Sequence, residues 1–340
     1  MSATSQVEFS LRAKVGEIRL NRPEELNALS LEMIEAMDAQ LAAWSVDPAV
    51  TGIVIGTTKD AAFCVGCDQR ALYDALKAGD RDYGTVFFRR YYQLLHRLAT
   101  YKKPTVAVMH GVTMGGGVSL AMHCQTRVAT RQTYMALADC KVGFFPDGAA
   151  ASYLQRCPGE TGMFLALTGV ALRARGTYHA GLATHMVPED RVALVTPWLI
   201  DQIAITPPPS TLQDIEAHVN QVFGLSSVAE IRGILSVRSG EWARGTLAQL
   251  QAQSPTSLAL TFRHMRAAKS QPLDQIFKTE YRLSQHLLDG HDFREGIRAY
   301  VIDRDERPTW APTGLDQVTE PALEALFAPL DGIPEWAPAA

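Results

Sequence analysis

The 340-residue sequence lacks the features that mark membrane, secreted and nucleic-acid-binding proteins. No apolar run approaches the roughly 18 residues that a membrane-spanning helix needs. The formal net charge is −4, so the chain has no general attraction for phosphate backbones or anionic lipids. A strand-like pattern starts by about residue 7, which leaves no room for a signal or transit segment. We therefore expect neither nucleic acid nor a membrane as a partner.

Cysteine is scarce. The chain contains five cysteines, an odd number, and they are scattered along the sequence. They are Cys64, Cys67, Cys124, Cys140 and Cys157. This distribution favours a reducing compartment over a disulfide scaffold, and we expect a cytoplasmic protein. Cys64 and Cys67 form a Cys-x-x-Cys pair, but it lacks two further ligands at similar spacing and a thioredoxin-like context. We therefore expect no metal site and no redox function there.

The order of apolar patterns predicts an α/β fold in two parts. Strand-like runs alternate with helical patterns up to about residue 205, and the segment 188–205 is predicted as the last helix of this core. Three prolines in 206–210 cannot continue a helix and predict a linker. Beyond them helical patterns follow one another, each stopped by glycine or proline. The chain is therefore divided into an α/β core, 1–205, and a helical lobe, 206–340, whose tail is expected to be frayed.

The stretch 104–151 concentrates the residues that could carry chemistry. An apolar, β-branched run predicts a buried strand, and the glycine triplet Gly115, Gly116 and Gly117 predicts a turn that opens a helix. Backbone amides at such a turn can hold an anion or a developing oxyanion, because no side chain blocks the approach. The alternative is that the triplet only permits close packing of helix on strand.

Two carboxylates follow the glycine turn, eight residues apart, on either side of an apolar segment. Asp139 and Asp147, combined with an oxyanion site, point to acyl chemistry, and two carboxyls in one apolar pocket should differ in pKa. His110 and His123 flank the turn. We interpret both as core histidines with satisfied hydrogen bonds rather than as catalytic groups.

Three segments, 20–29, 62–68 and 104–117, resemble the enoyl-CoA hydratase/isomerase (crotonase) superfamily. Further segments resemble its 3-hydroxyisobutyryl-CoA hydrolase branch, and together they cover nearly the whole chain: 145–147, 164–169, 183–186, 254–258, 280–285 and 290–296. The resemblance implies a spiral of strand–strand–helix turns followed by an all-helical lobe. It also implies that 292–303 is a helix covering the coenzyme A end of the substrate.

The resemblance assigns roles to individual residues. The amides of Cys67 and Gly116 would form the oxyanion hole, Asp139 would act as nucleophile or general base, and Asp147 would bind a hydroxyl or share the proton. The remaining positions would contact the substrate: Leu26, Ala28, Cys64, Gly66, Tyr91 and Gly115.

Three glutamates of the family are replaced in this chain. Ser119 stands where ordinary hydratases carry a catalytic glutamate, Tyr91 where the hydrolase branch has a substrate-contacting one, and Asp139 where the family has glutamate. The shorter Asp139 would withdraw its carboxylate by about a bond length, and a misplacement of about 1 Å can cost on the order of 100-fold in rate. Low or redirected activity is therefore compatible with these residues.

The expected function is hydrolysis of a short β-hydroxyacyl-CoA thioester, most like 3-hydroxyisobutyryl-CoA of valine catabolism. Coenzyme A enters as part of the substrate, and no separate cofactor is expected. A homo-oligomer is compatible with this interpretation. Two alternatives stay open, an enoyl-CoA isomerase or hydratase and a non-catalytic acyl-CoA-binding paralogue.

Overall fold

The computed structural model describes residues 5–58 and 62–339. Ten strands are present in this part of the chain: β1 (Val7–Arg12), β2 (Val15–Leu20), β3 (Gly52–Thr57), β4 (Ala62–Cys64), β5 (Thr105–Met109), β6 (Val112–Met114), β7 (Thr126–Ala129), β8 (Tyr134–Ala136), β9 (Leu172–Arg173) and β10 (His185–Met186). β1 and β2 form a hairpin, because they are consecutive and pair antiparallel.

The α-helices are α1 (Leu31–Val46), α2 (Gln69–Lys77), α3 (Arg81–Ala99), α4 (Gly116–Met122), α5 (Ala150–Leu154), α6 (Thr161–Thr168), α7 (Ala174–His179), α8 (Ile200–Ile203), α9 (Thr211–Phe223), α10 (Val228–Val237), α11 (Glu241–Ala252), α12 (Pro255–Ala267), α13 (Leu273–Asp289), α14 (His291–Ile297) and α15 (Glu320–Ala325). A π-helical turn, Arg298–Ile302, extends α14. The side chains of Ser30 and Asp68 cap α1 and α2, because each accepts a hydrogen bond from a backbone amide in the first turn of its helix.

Two sheets build the core as a spiral. The larger has the order β1-β2-β3-β5-β7-β10 and the smaller the order β4-β6-β8-β9. The parallel pairs β3·β5 and β5·β7 in one sheet are matched by β4·β6 and β6·β8 in the other. Successive turns of chain therefore add one strand to each sheet, which confirms the predicted strand–strand–helix spiral.

The segment 188–205 is not the single helix that we predicted. It forms a 3₁₀ turn, Glu189–Leu194, and only one short helix, α8. Pro197 lies between them and cannot donate the backbone hydrogen bond that a continuous helix would need.

From residue 211 to 302 the chain is mostly helical, as predicted, and α9 begins with Ser210 in a complete capping box. Beyond residue 302 the described residues contain only a 3₁₀ turn, Leu315–Gln317, and α15. One apolar cluster contains residues from both predicted parts, and the rings of Phe144 and Phe293 lie 4.7 Å apart between their centres, tilted by 38°. The boundary at 205/206 stays a prediction. Within the described residues, no helix has both the length and the apolarity required to cross a bilayer.

The C-terminal tail is not frayed, contrary to expectation. Trp336 is 1% exposed, and its ring lies 5.1 Å from that of Phe277 and 5.5 Å from that of His96. The tail is therefore held on α3 and α13 by one buried aromatic side chain.

Candidate active site

Three loops meet at one edge of the smaller sheet. Cys67 lies after β4, Gly115 directly after β6, and Asp139 after β8. Because these three strands are parallel neighbours, their carboxyl ends point to the same edge and bring the loops together. Residues about 70 positions apart in sequence are thus placed in one cleft by strand direction alone.

The cleft has a volume of about 350 Å³, including its open mouth. Six of its lining residues are those predicted for the site: Gly66, Cys67, Gly115, Gly116, Asp139 and Asp147. The other six had not been predicted: Val65, Gln69, Leu72, Phe88, Phe144 and Phe293. The cleft therefore combines two carboxyls and a glycine turn with a partly aromatic wall.

The glycine turn has a backbone that few other residues could adopt. Gly115 has φ +46° and ψ −124°, outside the regions open to residues with a Cβ. A Cβ on Gly117 would collide with the carbonyl group of Cys64. Within the described residues, neither the Cys67 nor the Gly116 amide donates to a protein acceptor, so both donors are free for a ligand.

Asp139 is buried at the head of a 3₁₀ turn, with 8% of its surface exposed. Its Oδ2 atom is buried without a hydrogen-bond partner in the described part of the chain. Burial raises the pKa of this carboxyl to about 7. Near neutral pH, Asp139 is therefore populated both as an acid and as a base, the state that proton transfer requires.

Asp147 is buried on the same cleft, and its Oδ2 accepts a hydrogen bond of 2.8 Å from the Tyr92 hydroxyl. Burial raises the pKa of Asp147 well above its ordinary value, and the negative charges of Asp139 and Glu280 raise it further. Both carboxyls therefore hold protons more tightly than free aspartate does.

The turn that carries Asp147 is fixed from several sides. Ser119 Oγ donates to the Asp147 carbonyl at 2.8 Å, and His123 Nε2 lies 2.7 Å from the Gly148 carbonyl. His123 thus has the satisfied hydrogen bond that we predicted, as does His110, which lies 3.0 Å from the Thr130 hydroxyl. Ser119 supports the backbone of the turn and does not line the cleft.

Four predicted substrate contacts do not line the cleft. Tyr91 is fully buried behind the glycine turn, where its hydroxyl donates to the Gly116 carbonyl at 3.1 Å. Cys64 is buried beneath the same turn. Leu26 and Ala28 lie on the segment that approaches the cleft entrance, where the amide of Val65 donates to the Leu26 carbonyl and Arg22 donates to that of Ala28.

Tyr92 was missed by the sequence analysis, which selected its neighbour Tyr91. Both lie on α3 within an aromatic run, and either fits the helical spacing. The signal that separates them is their different position around the helix: Phe88 lines the cleft, and Tyr92 lies one turn further along the same face. In the described residues, no group of three or more His, Cys, Asp or Glu side chains could hold a metal ion.

The chain matches the family model described as Enoyl-CoA hydratase/isomerase over residues 15–327. Two curated relatives are named 3-hydroxyisobutyryl-CoA hydrolase, mitochondrial. That from Danio rerio is 39% identical and is aligned over 97% of this chain and 91% of its own length. That from Gallus gallus is 40% identical over 96% of this chain and 90% of its own. These names give no support to the predicted cytoplasmic location, because they place the relatives in mitochondria.

Two solved structures match with a TM-score of 0.91. A carnitinyl-CoA dehydratase from Mycobacterium thermoresistibile is 33% identical, with 97% of this chain and 98% of its own covered. An enoyl-CoA hydratase from Rhodobacter sphaeroides 2.4.1 is 32% identical, with 98% and 100% covered. The spiral core and the helical lobe are thus both shared with these structures.

Proposed function

Because the chain belongs to the enoyl-CoA hydratase/isomerase family, we propose that it hydrolyses a short β-hydroxyacyl-CoA thioester, with 3-hydroxyisobutyryl-CoA as the first candidate. The observation that carries the proposal is the meeting of two buried carboxyls and a glycine turn in one cleft. The names of the curated relatives support the substrate class.

The thioester carbonyl oxygen would lie on the amides of Cys67 and Gly116. Water attack on the carbonyl carbon places a negative charge on that oxygen, and two amides without another acceptor would stabilise it. Losing one such donor typically costs on the order of 100- to 1,000-fold in kcat. Because the donors belong to the backbone, the cysteine side chain at 67 leaves the contribution intact.

Asp139 is the group that we assign as general base. The Asp139 carboxylate, which lines the cleft, takes a proton from the attacking water, whose oxygen forms the new bond to the acyl carbon. Collapse of the tetrahedral intermediate breaks the carbon–sulfur bond, and the departing thiolate of coenzyme A receives the proton. A pKa of about 7 suits both transfers near neutral pH. The alternative, attack by Asp139 itself, would leave an acyl-enzyme that hydroxylamine could trap.

Asp147 and the aromatic wall would select the acyl group. The Tyr92 hydroxyl fixes one oxygen of Asp147 and leaves the other for the substrate hydroxyl. Phe88, Phe144 and Phe293 bound the cleft and favour a short acyl chain. In this proposal coenzyme A is part of the substrate and no further cofactor takes part.

An enoyl-CoA hydratase or dehydratase is the second candidate, because the two solved structures with the same fold bear such names. Water addition through a pair of carboxylates would need one at position 119. Ser119 stands there, and its hydroxyl is engaged with the backbone of the 147–149 turn. This replacement favours hydrolysis.

The test is to incubate the protein with a panel of β-hydroxyacyl-CoA and enoyl-CoA thioesters and to analyse the products. Release of free thiol from the β-hydroxyacyl substrates supports hydrolysis. An intact thioester with a gained, lost or moved double bond would support the second candidate. Tight binding without any conversion would refute both and leave an acyl-CoA-binding protein.

A further inference from the structure

A buried carboxylate from the helical lobe accepts a hydrogen bond from the backbone close to Asp147. Glu280 on α13 is 0% exposed, and its Oε2 accepts a hydrogen bond of 2.6 Å from the Ala149 amide. The Gly148 amide also acts to lower the pKa of this carboxyl. His264 on α12 lies 2.9 Å from Oε1 and is itself buried. Burial raises the pKa of Glu280, while its hydrogen bonds with His264 and with the Ala149 amide act in the opposite direction, because they favour the ionised carboxylate.

The 147–149 turn, whose Ala149 amide donates to Glu280, has a backbone conformation that requires support from surrounding contacts. Gly148 and Ala149 both have left-handed backbones, with φ +67° and +58°. For alanine this conformation is strained, at a cost of about 1–3 kcal/mol, and it persists only where surrounding contacts enforce it. Two adjacent left-handed residues direct their amides to the same side, and Glu280 lies there. The carbonyls of Asp147 and Gly148 are held by Ser119 and His123.

Glu280 also contributes to the electrostatics of the site. The ionisable groups around Asp147 are Asp139, Glu280, Cys67 and three tyrosines, Tyr91, Tyr92 and Tyr153. The thiol and the phenols have raised pKa values and stay neutral near pH 7. Asp139 and Glu280 are thus the negative charges that act on Asp147, and His264 is the group that faces Glu280 from α12.

We propose that Glu280, held by His264, is a positioning residue that fixes the 147–149 turn and so keeps the Asp147 carboxyl in the cleft beside Asp139. The inference rests on the hydrolase function proposed above. It gives the helical lobe a role in the chemistry, because α12 and α13 deliver both residues. Burying a charge has a large desolvation cost, and here the buried carboxyl contacts the backbone of the turn that carries Asp147, the group proposed to bind the substrate hydroxyl.

The experiment compares wild type with Glu280→Gln on the acyl-CoA that wild type hydrolyses. Glutamine keeps the shape but loses the charge and one acceptor oxygen. We expect kcat to fall by about 10- to 100-fold, because the carboxyl of Asp147 is misplaced, with KM changed by less than about threefold. Asp147 must be ionised to accept a hydrogen bond from the substrate hydroxyl, so the acid limb of the kcat/KM profile should move to lower pH when the negative charge beside Asp147 is lost. Titration of each protein with coenzyme A gives the concentration of folded binding sites, by which the measured rates are divided to obtain kcat.

Matched variants separate positioning from stability. Glu17→Gln removes another buried carboxylate, on β2, which pairs with Arg12 and Arg19. It should lower the melting temperature without moving kcat or the pH profile. Should Glu280→Gln fail to fold, His264 offers the same test: His264→Ala should lower kcat, and His264→Gln, which retains an N–H donor, should restore most of it.

Two results would overturn the inference. Folded Glu280→Gln that is only less stable, with wild-type kcat and an unmoved pH profile, makes Glu280 structural. If kcat were equal in His264→Ala, His264→Gln and wild type, Glu280 and His264 would likewise be structural residues and not positioning residues. Absence of thiol release by wild type refutes the proposed function, and this inference with it, whereas wild-type release with an unchanged Glu280→Gln refutes this inference alone.

Discussion

Asp139 keeps a carboxyl oxygen buried without a hydrogen-bond partner among the described residues, although leaving such a bond unmade typically costs about 1–3 kcal/mol. A chain selected for stability alone would pair this atom or replace the residue. The Oδ1 atom is also confined, because a Cβ on Gly115 would lie 3.1 Å from it. Asp139 is thus held close to the glycine turn, in a state that binds a proton readily.

Removing the charge of Asp139 should stabilise the protein at alkaline pH. The pKa is about 7 in the folded protein and about 3.9 in the unfolded chain, so folding favours the protonated form. The contribution of this group to stability is therefore complete below about pH 4 and is lost as the pH rises through 7. Asp139→Asn should exceed wild type by on the order of 4 kcal/mol at pH 8 and by about 1–2 kcal/mol at pH 5, as measured by urea unfolding.

A control for this prediction is Asp331→Asn, since Asp331 is exposed. Its difference from wild type should be small and the same at both pH values. If Asp139→Asn behaved in the same way, the raised pKa of Asp139 would be wrong.

The sequence identified the polar members of the site better than the aromatic ones. Asp139 and Asp147 could be predicted because carboxylates beside apolar segments are rare and their spacing is fixed by the chain. The choice between Tyr91 and Tyr92 depends on how α3 is rotated against the 147–149 turn, a tertiary contact that no local pattern encodes. The same holds for Phe293, which arrives from a helix about 150 residues further on.

At the scale of elements, the site is a consequence of strand direction. β4, β6 and β8 are short, yet each ends at the cleft. The sequence predicted none of these three strands. Its apolar run before the glycine triplet predicted β5, and the triplet predicted the turn that opens α4. The prediction of one helix over 188–205 was wrong, because Pro197 interrupts the segment and cannot donate a helical hydrogen bond.

A side chain at position 116 should impair turnover more than folding. A Cβ there would lie 2.7 Å from the Tyr91 hydroxyl and 3.0 Å from Cys67 Sγ. We expect Gly116→Ala to lower kcat by about 100-fold while circular dichroism stays that of wild type, because displacing an oxyanion donor has a cost of this order. Adding Tyr91→Phe, which removes the crowding hydroxyl, should recover part of the rate.

Gly233→Ala is the matched control, because a Cβ there meets no atom within 4 Å. It should leave kcat unchanged. Full activity in folded Gly116→Ala would mean that the turn serves packing only, as the alternative interpretation of the triplet holds.

For the whole molecule, the helical lobe belongs to the working site. It supplies Phe293 to the cleft wall and Glu280 to the 147–149 turn. The sequence predicted the helices but not how they dock, because docking depends on side chains far apart in the chain. The tail shows this most clearly, since one tryptophan in a proline-containing segment has no periodicity that would mark it as buried.

Docking of the tail should contribute measurably to stability. Trp336 is buried, whereas Trp198 is 56% exposed. Trp336→Ala should lower the free energy of unfolding by about 3–5 kcal/mol, the usual range for a buried aromatic side chain, and Trp198→Ala by less than about 0.5 kcal/mol. Urea unfolding of both variants checks this. Equal effects of the two substitutions would restore the interpretation of a frayed tail.

The most direct test of the account is thiol release from 3-hydroxyisobutyryl-CoA by wild type, Asp139→Asn and Asp139→Glu, with coenzyme A binding followed by calorimetry. The account predicts that wild type releases thiol and that Asp139→Asn loses the rate by several orders of magnitude while binding persists, because only an interaction of the transition state is removed. Asp139→Glu should retain hydrolysis and, if the short side chain limits the rate, exceed wild type. Equal rates for the three proteins would contradict the assignment of Asp139 as the base.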